Sequence, residues 1–148
     1  MSPLRVMLVD DFKPFRKFLC ETLEKLQNVQ VVSEVSDGLD AVQKASELNP
    51  DVILLDIGLP SLNGIEAARQ IRKVAPESKI IFLSQESSPA VVEDCLNLGA
   101  LGYVVKMYAG RELLKALEAV CHGMRFVSDG LTTNTTTSST RPVLPILS

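Results

Sequence analysis

Long apolar runs are missing from this sequence of 148 residues. No stretch approaches the roughly 18 consecutive apolar residues that a membrane-spanning helix requires, so we expect no membrane-embedded segment. The amino terminus passes from Met1–Arg5 directly into a short apolar run followed by two aspartates. It has neither the longer apolar segment nor the small-residue cleavage site of a signal peptide. These features predict a cytoplasmic protein.

Residues for several kinds of site are also scarce. The single histidine, His122, is a poor basis for Ser-His-Asp catalysis or a His-rich zinc site, and its position predicts a helix-end residue. The three cysteines, Cys20, Cys95 and Cys121, are odd in number and far apart in helix-like patterns, which favours buried free thiols. The net charge is −3 and basic residues form no cluster, so we expect no direct nucleic acid binding by this chain.

The composition, 46% hydrophobic and 22% charged, is that of a globular domain of ordinary size. Five short runs rich in Val, Ile and Leu show little polar alternation, which is typical of parallel strands buried on both faces. They are Arg5–Val9, Gln30–Val35, Val52–Leu55, Lys79–Leu83 and Gly102–Val105.

Amphipathic segments follow each of these runs and carry the apolar stripe of a helix that packs on a sheet. Pro14 falls in a first helical turn, Asn63-Gly64 opens the third helix, and Gly99 closes the fourth. Five successive βα units predict an α/β three-layer sandwich, in which five helices flank a five-stranded parallel sheet. We place this domain at residues 4–128. Residues 129–148, which contain Ser, Thr and Pro, are predicted to be a tail or linker without fixed structure.

Polar residues lie at the predicted carboxyl ends of four strands, where ligands bind in sheets of this kind. They are Asp10 and Asp11, Asp56, Ser84 and Lys106. Three clustered carboxylates repel one another by several kcal/mol and need a counter-charge, since two unit charges about 4 Å apart interact with roughly 4 kcal/mol at an effective dielectric near 20. A hard divalent cation such as Mg²⁺ prefers these oxygen ligands.

Each residue also has a simpler interpretation when it is considered alone. Asp11 could be a helix cap, Asp56 a strand-end Asx turn, Ser84 a turn hydroxyl and Lys106 a solvated lysine. Tyr103, between Gly102 and Val104, could be an ordinary core residue. The convergence of these residues on one sheet edge favours a functional site over five unrelated features.

The combined pattern resembles the receiver domain of bacterial response regulators, which has a flavodoxin/CheY-like fold. The similarity extends from about Leu4 to Val127 and includes Gly64. The segments that carry it are Asp10-Asp11, Asp56-Ile57-Gly58-Leu59-Pro60, Ser84 and Gly102-Tyr103-Val104-Val105-Lys106. The segment Gly123–Ser128 further resembles the receiver part of LuxR/NarL-type regulators.

The resemblance implies a phosphorylation-dependent signalling switch of a two-component system that is not itself an enzyme, apart from weak self-dephosphorylation at most. Asp56 would accept phosphate from a sensor histidine kinase. Asp11, Asp56 and the backbone carbonyl of Gly58 would hold Mg²⁺, with Asp10 acting directly or through water.

Three further roles follow from the resemblance. Lys106 would pair with the phosphoryl oxygens and Ser84 would donate its hydroxyl to them. Tyr103 would be the aromatic switch that turns inward when Ser84 moves toward the phosphate. The signal would leave through the fourth helix, fifth strand and fifth helix, and a homodimer would use either that face or the first and fifth helices.

Four residues depart from the commonest receiver pattern. Met107 follows Lys106 where many receivers have proline, so we expect a trans peptide bond there. Gly58 offers no side chain beside the phosphoryl group, and Glu86 could repel hydroxide or align water, which leaves the acyl-phosphate lifetime open. Gln85 replaces a small residue and could crowd the opening of the site.

Three alternatives compete with this interpretation. A hydrolase of the haloacid dehalogenase type needs a second aspartate two residues after the nucleophile, where this chain has Gly58. A pseudo-receiver would be an interaction module that never accepts phosphate. Third, the chain could be the receiver fragment of a DNA-binding transcriptional regulator, although about twenty residues after Asp129 are too few for a DNA-reading unit.

Overall fold

The computed structural model describes residues 2–85, 87–128 and 131. These residues contain six strands and five α-helices that alternate along most of the chain. The strands are β1 (Leu4–Val9), β2 (Val29–Val35), β3 (Val52–Asp56), β4 (Lys79–Ser84), β5 (Gly102–Val105) and β6 (Phe126–Val127). The helices are α1 (Lys13–Glu24), α2 (Gly38–Leu48), α3 (Gly64–Val74), α4 (Pro89–Asn97) and α5 (Ala109–Cys121), with a 3-10 turn at Lys106–Tyr108.

The strands form one parallel sheet in the order β2-β1-β3-β4-β5-β6. The strand order reverses at β1 and β3, so the carboxyl ends of these two strands flank the crevice where ligands bind in doubly wound sheets. The first five strands begin and end within one residue of their predicted bounds. The predicted three-layer α/β class is confirmed.

The predicted number of five strands is wrong, because a sixth strand pairs with the outer edge of β5. Phe126 N donates a backbone hydrogen bond to Leu101 O, and Ser128 N, directly after the strand, donates one to Tyr103 O, each 2.9 Å long. Two residues are too few to show strand periodicity. The strand therefore depends on the neighbouring edge of β5 and could not be predicted from local sequence.

Side chains on the two faces of the sheet form two apolar cores. On β1, Met7 and Val9 join the core beneath α2, α3 and α4, whereas Val6 and Leu8 join the core beneath α1 and α5. All five residues of β3 are buried. Burial on both faces explains why the strands are continuous apolar runs.

The helix ends agree with the predicted signals. Pro14 lies in the first turn of α1, and the Asn63 side chain accepts a hydrogen bond from Glu66 N at 3.0 Å as the N-cap of α3. Gly99 has a φ of +102°, a conformation that suits glycine after the end of α4. His122 is the C-cap of α5, as expected. The peptide bond before Met107 is trans, like every other described peptide bond.

The cysteine prediction is only partly correct. All three thiols are free, but only Cys95 is buried, whereas Cys20 is half-buried and Cys121, the last residue of α5, is exposed. Burial raises the pKa of Cys95 to about 12, with a smaller contribution from Asp94, so this thiol stays protonated at neutral pH.

Within the described residues, no helix is long and apolar enough to cross a membrane. Of the predicted tail, only Leu131 belongs to the described residues, where it packs against the core beneath α2–α4. Residues 129, 130 and 132–148, and with them the prediction of a structureless tail, lie outside the described residues.

Candidate functional site

Three aspartates meet at the carboxyl edge of the sheet. Asp10 and Asp11 follow β1, and Asp56 is the last residue of the adjacent strand β3. One carboxylate oxygen from each lies within 4.8 Å of the others. Asp10 and Asp56 are buried and Asp11 is exposed, so the cluster extends from the interior to the surface.

Asp10 is held by the first turn of α1. Its Oδ1 accepts a hydrogen bond from Phe12 N at 2.8 Å, and its carbonyl oxygen accepts one from the Arg16 guanidinium at 2.7 Å. Its other carboxylate oxygen, Oδ2, is fully buried and has no hydrogen bond to the described residues. The charged partner of this oxygen is the Lys106 ammonium, 2.7 Å away.

Lys106 supplies the positive charge that the carboxylates require. It begins the turn after β5, and its Nζ lies 2.7 Å from Asp10 Oδ2 and 3.4 Å from Asp56 Oδ1. The shorter contact is an ion pair without the alignment of a hydrogen bond. The side chain is only 13% exposed, which excludes the interpretation of Lys106 as a solvated surface lysine.

The environment of Asp56 makes its carboxylate more basic. Burial raises its pKa above the ordinary value, and the negative charge of Asp10 raises it further. Lys106 and the hydrogen bond from Gly58 N, 3.2 Å from Asp56 Oδ1, act in the opposite direction without cancelling the rise. The hydrogen bond from Gly58 N to Asp56 closes an Asx turn at the end of β3. Asp56 therefore forms the predicted strand-end turn and also lies in the acidic cluster.

Asp11 does not cap α1 in the structure. The N-cap is Phe12, whose side chain makes no capping hydrogen bond, and the backbone N–H of Phe12 donates to Asp10 rather than to Asp11. Since the helix does not use the Asp11 carboxylate, the cap interpretation loses its support. The exposed carboxylate lies instead in the acidic cluster.

The acidic cluster fits a magnesium ion. Carboxylates from two strand ends lie close enough to share one cation. Oxygen donors of this kind suit Mg²⁺, which is held in proteins by one or two carboxylates together with waters and phosphate oxygens. Gly64 allows the backbone to pack tightly beside the cluster, because a β-carbon there would collide with the Asp56 carbonyl oxygen.

Ser84 and Tyr103 lie on the neighbouring strands. Ser84 ends β4, is buried, and lines the same open pocket as Asp56 and Lys106. Tyr103 lies one strand further, on β5, and its side chain is fully buried in the core beneath α2–α4. This is the inward position of the switch hypothesis, and the switching itself stays a prediction.

Three of the unusual residues lie at the mouth of the pocket. Gln85 and Met107 both line it, and Met107 is 78% exposed. Gly58 also lies at the mouth, where a β-carbon would contact nothing within 4 Å. Glu86, the fourth unusual residue, lies outside the described residues.

Two features of this region were not predicted. The ring of Phe15 lies over the Lys106 ammonium, with 4.8 Å from Nζ to the ring centroid. The Ser128 hydroxyl bonds Glu112 and the backbone of Val105, next to Lys106. Phe15 shows only the apolar period of α1 in sequence, and Ser128 is one polar residue after a short apolar pair, so neither position indicates its distant partner.

The sequence profile of the family described as "Response regulator receiver domain" matches residues 6–118. The chain belongs to this family. It is a receiver domain of the kind found in two-component response regulators, and the family is one of phosphoacceptor switches. This assignment removes the haloacid dehalogenase alternative.

Known proteins support the same assignment. The chain is 37% identical over 120 residues to the transcriptional regulatory protein LiaR of Bacillus subtilis, covering 81% of this chain and 57% of LiaR. It is 35% identical over 116 residues to the chemotaxis protein CheY of Thermotoga maritima, covering 78% of this chain and 96% of CheY. A solved LuxR-family response regulator from Aurantimonas sp. superimposes with a TM-score of 0.83 at 33% identity, covering 88% of this chain and 93% of the other.

These relatives differ in length. The chain spans a little over half of the transcriptional regulators DegU and LiaR, namely 56% and 57%, but nearly all of CheY. Both stand-alone receivers and the receiver parts of longer regulators therefore resemble this chain.

Proposed function

We propose that Asp56 accepts a phosphoryl group from a sensor histidine kinase and that this chain relays the modification by a change of conformation. The observation that carries the proposal is the position of Asp56. Its buried, basic carboxylate lies in the acidic cluster with the Lys106 ammonium 3.4 Å from Oδ1. A carboxylate in such a site is a competent nucleophile for phosphoryl transfer.

In the transfer, a carboxylate oxygen of Asp56 bonds to phosphorus while the bond from phosphorus to the histidine nitrogen of the donor breaks. The electron pair of the broken bond stays on the donor nitrogen. Lys106 pairs with the phosphoryl oxygens, and the Ser84 hydroxyl donates to one of them. Catalysis of this kind depends mainly on positioning and on the spreading of charge.

A magnesium ion would be held by Asp11, Asp56 and the carbonyl of Gly58, with Asp10 as a direct or water-mediated ligand. When bound, it supplies positive charge to the phosphoryl oxygens. Support comes from the grouping of the three carboxylates, each of which has an oxygen within 4.8 Å of the others.

For the relay, we infer that Ser84 and Tyr103 act together and that the signal leaves through α4, β5 and α5. The outer edge of β5 is covered by β6, so this surface includes Phe126 and Val127. A homodimer could form there or through α1 and α5, where Phe18 and Leu114 are large apolar side chains with 38% and 48% exposure.

We further infer that the chain works in the cytoplasm, with no direct contact to nucleic acid by these residues. A second candidate function is that of the receiver part of a longer DNA-binding regulator. It is favoured because the chain spans a little over half of the length of DegU and LiaR. A pseudo-receiver that never accepts phosphate is the remaining alternative.

Incubation with acetyl phosphate and Mg²⁺ tests the central claim. Intact-mass analysis should show one added phosphate, labile to hydroxylamine as acyl phosphates are, and Asp56→Asn should abolish it. An unmodified wild-type chain, with a folded circular dichroism spectrum and measurable Mg²⁺ binding, would support the pseudo-receiver instead. If the Asp56→Asn variant still gained one phosphate, the phosphate acceptor would be a residue other than Asp56.

A further inference from the structure

Lys106 has three partners in the structure, and one of them is not an acid. Its Nζ lies 2.7 Å from Asp10 Oδ2, 3.4 Å from Asp56 Oδ1 and 4.8 Å from the centroid of the Phe15 ring. We propose that Phe15 is a positioning residue for phosphorylation, which keeps the Lys106 ammonium at the site through a cation–π contact. The proposal rests on the proposed roles of Asp56 and Lys106.

The two acidic partners have other tasks in the proposed reaction. Asp10 belongs to the group that would hold the metal ion, and a carboxylate oxygen of Asp56 becomes bonded to phosphorus. Both attractions on Lys106 therefore weaken or change as the reaction proceeds. The Phe15 ring has neither a negative charge nor a lone pair for the metal, so it does not compete for these ligands. Its attraction for the ammonium persists through each step.

The geometry is suitable for an effective contact. Cation–π attraction is significant within about 6 Å of a ring centroid and grows when the cation is withdrawn from water. The Lys106 side chain is only 13% exposed, so the contact with Phe15 is more favourable than it would be on an open surface.

The ring is held in place from several sides. Arg16 and Phe12 bond Asp10 and so join the first turn of α1 to the end of β1, and Phe15 N donates to Phe12 O at 3.1 Å. The Phe18 ring packs on Phe15, with centroids 5.7 Å apart and planes at 32°. These contacts fix the position of the Phe15 ring beside the Lys106 ammonium.

A simpler explanation is that Phe15 only fills space, since it also packs against the core beneath α1 and α5. The two explanations differ in what they require of the ring. Filling space requires volume and apolar character, which Leu and fluorinated phenylalanines also offer. Holding an ammonium requires the negative charge on the face of the ring. Each added fluorine withdraws electron density from that face while the shape of the ring is nearly unchanged.

The test replaces Phe15 in the full chain with mono-, di- and trifluorinated phenylalanine, and separately with Tyr and Leu. Phosphorylation by acetyl phosphate at saturating Mg²⁺ should slow progressively, by about threefold to tenfold for the trifluorinated ring. Phe15→Tyr should keep the wild-type rate and Phe15→Leu should match the trifluorinated chain. Mg²⁺ affinity should stay unchanged across the fluorinated series, and the thermal midpoint should fall only slightly as the contact weakens.

The same fluorinated series at Phe18 is the matched control. The Phe18 ring packs on Phe15, but it is the Phe15 ring that contacts the Lys106 ammonium, so fluorination of Phe18 should leave the phosphorylation rate unchanged. A flat rate across the Phe15 series, with wild type still phosphorylated on Asp56, would overturn the role of Phe15 alone. Equal slowing in both series would also overturn it, since a general effect of fluorine would explain the data. Failure of wild type to accept phosphate on Asp56 would instead reject the proposed function.

Discussion

The hydroxyl of Ser128 donates a hydrogen bond to Glu112 Oε1 at 2.5 Å, which joins the end of β6 to α5. The same hydroxyl accepts a hydrogen bond from Val105 N at 2.8 Å, and both Ser128 and Glu112 are buried. One buried hydroxyl thus connects the last described strand, the last helix and the residue that precedes Lys106. Of Ser128, Glu112 and Val105, only Ser128 lies outside the span matched by the family profile, which ends at residue 118.

We expect Ser128→Ala to destabilise the chain by about 1–3 kcal/mol, the usual cost of leaving buried hydrogen-bonding groups without a partner. Val105 N–H loses its acceptor and the Glu112 carboxylate loses this donor. Urea unfolding followed by circular dichroism measures the change. The exposed Ser87 provides the control, since Ser87→Ala should leave the free energy of unfolding nearly unchanged. Equal stability of the two variants would show that the junction contributes nothing.

Asp56→Asn should stabilise the metal-free chain at about pH 7.5, in the presence of EDTA. The pKa of Asp56 is raised in the folded chain, chiefly by burial and then by Asp10, so its ionised form disfavours folding. The protonated Asp56 carboxyl contributes to the free energy of unfolding. This contribution is fully present below the pKa that Asp56 has in the unfolded chain, and it is lost as the pH rises through the higher pKa that Asp56 has in the folded chain. The difference between variant and wild type should therefore shrink as the pH falls toward about 4.

Thermal unfolding in EDTA across this pH range measures that difference. Excess Mg²⁺ serves as the control, because it should stabilise wild type more than the variant. A difference that grows on acidification would contradict the assigned sign.

Asp11→Asn should weaken Mg²⁺ binding by about tenfold or more, because an exposed member of the acidic cluster loses its charge. Its stability should hold, since Asp11 is not the N-cap of α1. Isothermal titration calorimetry measures the affinity and thermal unfolding measures the stability. The exposed α4 residue Asp94 offers a charge-matched control in Asp94→Asn. Normal Mg²⁺ affinity in Asp11→Asn would remove Asp11 from the metal site.

Much of the fold could be predicted because local sequence and tertiary position agree. The run Val52–Asp56 is apolar until its last residue, so both the strand and its polar end are visible in sequence. The grouping of Asp10, Asp56 and Lys106 followed from one rule, that the ends of parallel strands meet at one edge. The roles assigned to these side chains stay predictions until they are tested.

The unpredicted features depend on partners that are distant in sequence. Phe126 and Val127 form a strand only because the edge of β5 is available, and Ser128 is buried only because Glu112 and Val105 N satisfy its hydroxyl. Phe15 contacts Lys106 because α1 is joined to Asp10 at the end of β1. A single sequence carries no local signal for such pairs.

The proposed exit of the signal depends on Ser84 and Tyr103, which lie on adjacent strands. Phosphorylation of Asp56 adds about one negative charge and new acceptor oxygens near Ser84 and Lys106. Movement of Ser84 toward them changes the space beside the buried Tyr103. Because Ser128 N donates to Tyr103 O at 2.9 Å, we expect a change on β5 to reach β6 as well.

Beryllofluoride with Mg²⁺, as a mimic of the phosphoryl group, should therefore change hydrogen exchange or amide NMR shifts from Ser87 to Val120 and in β6. Ser84→Ala should still bind the mimic but lose most of the response at Tyr103 and β6, because the hydroxyl that links the phosphoryl oxygens to β5 is gone. Ser87→Ala is the matched control and should respond like wild type. An identical response in Ser84→Ala and wild type would reject the coupling of Ser84 to Tyr103. A response in wild type confined to α1 and α5 would place the output on that face, since the mimic can shift a conformation only by binding one state more tightly than the other.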